Sequence, residues 1–109
     1  MIEPKTSIYN LLSTVGTTYQ AMPEVEVTYP CITFSIAEDR PEYTMDGEIS
    51  HQVVVVNVDL WAETSTGTSS MLVDLVTKML SGGYRMTACS DIPVESGSHL
   101  STTFETIVG

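Results

Sequence analysis

His51 and His99 are the chain's only imidazoles. With abundant Ser and Asp they supply the raw materials for a hydrolytic triad of nucleophile, base and orienter. No Ser lies in a GxSxG elbow or another nucleophile motif, and the local pattern puts His51 where a strand begins and His99 where a turn ends. No catalytic residue, and so no enzyme, is expected. Asp39, Asp46 and Glu48 could approach a cation, but the spacing D-x6-D-G-E matches no calcium loop, so a solvated acidic segment is expected and no metal. The glycines are single or paired, as at Gly82-Gly83, without the GxGxxG or P-loop arrangement that cradles phosphate. No cofactor is expected. Trp61 is the remaining conspicuous side chain: it can anchor a partner, as Trp does at interface hot spots, or fold over a sheet end as a lid.

Charge narrows the classes further. Four Lys+Arg against 14 Asp+Glu leave a net charge of −10 in 109 residues. Such a surface repels phosphate, whereas tight nucleic-acid binding needs clustered cations that displace counterions. Cys31 and Cys89 make no CxxC pair and no disulfide framework; both sit in apolar or alternating stretches, where Cys serves as a small buried hydrophobe. No apolar run reaches the roughly 18 residues of a membrane helix, and the N-terminus lacks the apolar core of a signal peptide. A soluble, cytosolic product forming a single domain over 1–109 is the expectation.

The elements that must position these residues centre on Val53–Trp61, nine residues without Gly or Pro and rich in β-branched side chains. Alternation puts Val54, Val56, Val58 and Leu60 on one face and Val53, Val55, Asn57, Asp59 and Trp61 on the other. Before it, Cys31–Ile36 alternates with Ile32, Phe34 and Ile36 together, and Glu24–Val27 reads as a short edge strand. Between the two main strands runs a polar connection, 38–52, with Glu38, Asp39, Glu42, Asp46 and Glu48 against Arg40. Hairpins close in two to five residues as a rule, so this segment is either a mobile arm or a continuation of both strands beyond the sheet. Two helices are predicted. Ile8, Leu11, Leu12 and Val15 form one stripe, with Thr6 or Ser7 as cap and Gly16 as a left-handed stop. Leu72, Leu75, Val76 and Met79 form the other, capped by Ser65, Thr66 or Thr68 and ended by Gly82-Gly83. Tyr84–Cys89 and Leu100–Ile107 complete the set as an antiparallel pair, joined by a turn at Pro93 and Glu95–Ser98.

That order implies an α+β fold: a mostly antiparallel four-stranded or slightly larger sheet with two helices packed on one face. The helix stripes can cover one sheet face and not both, leaving Val53, Val55, Trp61 and Ile107 on the uncovered side. Val53, Val55 and Trp61 are accordingly the candidate subunit interface.

Several segments, in order, carry a resemblance. They are Tyr29-Pro30-Cys31-Ile32-Thr33-Phe34 entering the first main strand and Asp46-Gly47-Glu48 in the connection after it. Asp59-Leu60-Trp61-Ala62, Ser65-Thr66-Gly67 and Tyr84-Arg85-Met86-Thr87 ahead of Ser90-Asp91 follow. Together they resemble the tail-completion (tail-terminator) proteins of long-tailed bacteriophages, over residues 29–107. The resemblance implies a small α+β protomer in a hexameric ring at the head-proximal end of the tail tube. That ring stops tube polymerisation and offers a joining surface to the neck. The implied partners are further copies of the chain, the tail tube protein and a neck or head-completion protein. DNA passes through without specific binding, no membrane is involved, and the place of action is the virion after assembly in the host cytoplasm. Glu38, Asp39, Glu42, Asp46 and Glu48 are then expected to face the lumen or tube. The rival readings are a neck or head-closure connector and a small cellular homo-oligomeric binding module.

Overall fold

The central strand forms where β-branched residues are densest, and the remaining elements arrange themselves around it. The computed structural model describes residues 4–20, 30–93 and 97–108. Their order is α1 (Pro4–Ser13), β1 (Thr18–Gln20), β2 (Cys31–Tyr43), β3 (Ile49–Ala62), α2 (Ser65–Ser81), β4 (Arg85–Ile92) and β5 (Ser98–Val108). The strands make one five-stranded sheet in the order β1-β2-β3-β5-β4. All neighbours are antiparallel except β1, which runs parallel to β2 with Thr18 opposite Ile32. The α+β expectation with both helices on one face holds, and the sheet is at the larger end of the expected size: it has five strands, and the parallel β1 makes it mixed. A three-residue parallel strand has no local signature, because its pairing exists only once β2 is in place. The strand expected at Glu24–Val27 and residues 95–96 of the expected turn lie outside the described residues.

Both helices press on the face that carries Val54, Val56, Val58 and Leu60. These four are fully buried together with Ile32, Phe104, Ile8, Leu12, Leu75 and Met79, and Phe34 and Tyr84 join them. Complete burial of each large apolar side chain is worth about 1.5–3 kcal/mol. This single layer of contacts therefore carries most of the fold's stability. Tyr9 of α1 leans on Phe34 with ring centroids 6.5 Å apart.

The helix ends depart from expectation by a few residues. α1 begins at Pro4, and proline suits a first helical position because its missing N–H would be unpaired there anyway. Thr6 and Ser7 are thus inside the helix, and Gly16 keeps an ordinary φ. The cap of α2 is Thr64, one residue before the expected Ser65: its backbone is extended and its Oγ1 accepts from the Gly67 amide at 3.1 Å. Thr68 is instead buried, donating to the Ser65 carbonyl at 3.0 Å and lying 2.9 Å from the Ser98 hydroxyl. Gly82-Gly83 ends α2 as expected, with Gly83 at φ 87°.

Every residue of β4 is exposed, although its sequence alternates. The strand is at the sheet edge, and α2 lies mainly over β3 and β5. Cys89 is consequently exposed, contrary to expectation, while Cys31 is buried. No described helix is long and apolar enough to cross a membrane.

Candidate functional site

The 38–52 connection is an extension of both strands. β2 and β3 stay paired from Cys31 opposite Trp61 out to Tyr43 opposite Ile49, and only the segment 44–48 is turn. The Thr44 amide donates to the Glu48 carbonyl at 2.7 Å, the Gly47 amide to the Thr44 carbonyl at 3.0 Å, and Gly47 takes φ 83°. β5 stops pairing at Val108 opposite Gln52. Beyond that rung the hairpin runs on as a two-stranded arm, which helps give the molecule its 53 × 27 × 24 Å outline.

A bulge between Ile36 and Glu38 decides which way the arm's acids point. It sets Glu38, Arg40 and Glu42 opposite Val55, Val53 and His51, on the face that the helices leave open. Arg40 bridges its two neighbours there, with Nε 2.6 Å from Glu38 and a second nitrogen on Glu42. Asp39 falls on the helix side and accepts from the Gln52 amide nitrogen at 2.6 Å. Asp46 and Glu48 sit at the turn, exposed. The arm's five acids are therefore split among two faces and a tip. The sequence could not show this, because a bulge inverts the alternation after it.

The open face continues across the sheet, and no described helix or loop covers it. Val55 is half-buried and Ile107 is 57 % exposed, as expected of an uncovered face. Val53 shares the face but is only 8 % exposed, because in register it lies between Arg40 and Ile107. Trp61 is half-buried and engaged within its own chain. Its ring stacks on His99 at a 3.7 Å centroid separation and 14°, and its Nε1–H donates to Thr33 Oγ1 at 3.0 Å. His99 Nε2 in turn lies 2.9 Å from Asp59 Oδ1.

Asp59 and His99 thus form an orienter–base pair, and among the described residues no nucleophile is hydrogen-bonded to His99. The other imidazole, His51, meets the Ser50 hydroxyl at 3.0 Å on the exposed arm. His51 and Asp59 lie eight residues apart on one strand, about 26 Å at 3.3 Å per residue. The Ser50–His51 pair and the Asp59–His99 pair therefore lie toward opposite ends of β3. No described group of His, Cys, Asp or Glu is arranged to hold a metal ion.

On the helix side, burial pushes the Tyr84 phenol above its ordinary value; nearby Ser7 opposes the shift and Asp39 adds to it. The hydroxyl itself meets no partner with hydrogen-bond geometry. Burial likewise raises the Cys31 thiol. The hydrogen-bonding roles of Asp59, Thr33 and Gln52 come from cross-strand register and have no local signal in the sequence.

No protein-family model matches the chain, and no curated protein matches it significantly.

Proposed function

We propose that this chain is a structural protein of the tail-terminator kind. Copies assemble into a ring, cap the head-proximal end of a phage tail tube, stop its growth and present a surface to a neck or head-completion protein. The observation that carries this reading is the β2–β3 arm: an ordered projection with no core of its own, beside an uncovered sheet face. Two-stranded ribbons alone are marginal in water, so such an arm is best explained by a surface that receives it. The ordered segments from Cys31 to Asp91 support the same reading by resemblance. Arg40 offsets Glu38 and Glu42, so repulsion of passing DNA rests on the chain-wide excess of 14 acids over 4 bases. That repulsion acts within a screened distance of about 8–10 Å. Electron microscopy of the purified chain mixed with growing tail tubes tests the proposal. Rings at one tube end and tubes of arrested length are expected; bare ends on tubes that keep lengthening would overturn it.

A further inference from the structure

The turn that closes the arm exposes what a turn ordinarily hides. Met45 stands wholly in solvent, and Tyr43 and Ile49, opposite one another on the last rung, are 62 % and 46 % exposed. Large apolar side chains gathered at the end of a projection mark a contact surface, whereas single scattered ones do not. The arm's outer edge is guarded against strand pairing by Pro41, by the bulge before Glu38 and by the charges of Glu38, Arg40 and Glu42. The tip carries no such guard. Asp46 and Glu48 flank its apolar side chains, and neither meets a cation of its own chain among the described residues.

A matching hollow lies on the other lateral side of the same sheet end. It measures about 330 Å³ and opens where α2 gives way to β4, between Leu80, Tyr84, Arg85, Glu105, Thr106 and Ile107. Leu80 and Ile107 are 60 % and 57 % exposed. The Arg85 side chain is 71 % exposed, with its ion pair to Glu105 stretched to 3.8 Å. The hollow is thus largely apolar, lined also by Glu105 and Thr106, and its rim carries the Arg85 cation that Glu105 holds only loosely, whereas the tip is apolar with two carboxylates and no cation paired to them among the described residues. A chain cannot fill its own hollow. The arm leaves from the β2–β3 side, and its ladder carries the tip roughly 15–20 Å beyond the Val53–Ile107 rung.

We infer that a second copy of this chain takes the tip. Met45, Tyr43 and Ile49 of one copy seat against Leu80 and Ile107 of the next, and Asp46 and Glu48 face its Arg85. Knob and hollow are different surfaces, so the contact is head-to-tail and repeats from copy to copy, closing into a ring where the rotation permits. Closure rests on the ring reading above; the pairwise contact does not.

Cysteine capture tests it in full-length chains carrying Cys89→Ser. Met45→Cys on one copy and Leu80→Cys on a differently tagged copy should form an inter-copy disulfide under mild oxidation, and neither should do so with an unsubstituted partner. Glu48→Arg and Arg85→Glu should each weaken self-association about tenfold, the effect of a lost attraction and a new like-charge clash, with recovery when both are combined. These positions are exposed, and an unchanged unfolding midpoint verifies that each variant is folded. Capture of Met45→Cys by tube protein and not by sibling copies would overturn the inference. So would wild-type self-association in Met45→Asp, or chains that stay monomeric at every concentration. Captured oligomers that never cap tubes would refute the ring reading and leave the contact standing. Tube-capping rings built equally well from Met45→Asp chains would do the reverse.

Discussion

Trp61 offers the sharpest test of how the open face is organised. Its indole donates to the hydroxyl of Thr33, which is only 4 % exposed, and stacks on His99 at 3.7 Å. Trp61→Phe keeps an aromatic ring over His99 and removes the donor. The nearly buried Thr33 hydroxyl is left without that partner, at a cost of about 1–2 kcal/mol. Trp61→Ala also removes the stack, about 0.5–1.5 kcal/mol, and the apolar contact of a half-buried side chain, about 1 kcal/mol. The totals are about 1–2 kcal/mol for Phe and about 2.5–4.5 kcal/mol for Ala. At about 4 °C per kcal/mol for a domain near 100 residues, the melting temperature should fall by roughly 4–8 °C and 10–18 °C. Urea unfolding followed by far-ultraviolet circular dichroism is the suitable assay, because both substitutions delete the only tryptophan. Sizing the same samples at the dilution used for unfolding separates stability from assembly. Wild-type midpoints for both variants would refute the intramolecular account. If those variants also ran as smaller particles at high concentration, Trp61 would act between copies.

Two further outcomes follow from particular atoms. Gly97 has φ 81°, and a Cβ there would stand 2.6 Å from the Ala62 carbonyl oxygen; Gly97→Ala should therefore cost about 2–4 kcal/mol in urea unfolding, and a loss below 0.5 kcal/mol would contradict that geometry. The Tyr84 hydroxyl is buried without a partner, so Tyr84→Phe should be neutral or stabilising by about 1 kcal/mol. The phenol's raised pKa gives this a pH signature. The unfolded chain ionises first, so stability present below the ordinary value of 10.0 is lost as pH rises through and beyond it. The raised Cys31 thiol acts in the same direction from 9.0. Wild type should weaken steadily above pH 9, and Tyr84→Phe should flatten the upper part of that decline; identical alkaline profiles would count against it.

Much of the fold was legible in the residues because two periodicities carry it. The Val54-Val56-Val58-Leu60 alternation and the Leu72-Leu75-Val76-Met79 stripe each define a face by local geometry, and those faces are the ones buried. Gly82-Gly83 and the antiparallel β4–β5 pair were equally readable, since backbone freedom and alternation are properties of short segments. The acidity, which sets what the surface repels, is fixed by composition alone.

Tertiary structure decided what depends on partners distant in the chain. β1 exists because β2 offers it hydrogen bonds, and β4 is exposed because α2 lies mainly over β3 and β5. One bulge before Glu38 sent Asp39 to Gln52 and left Glu38 and Glu42 to Arg40. No single-sequence pattern encodes that choice, because the extra residue is accommodated by the opposing strand. Trp61, His99, Asp59 and Thr33 meet across three strands for the same reason: register, set by the whole sheet, brings together side chains that the sequence keeps apart.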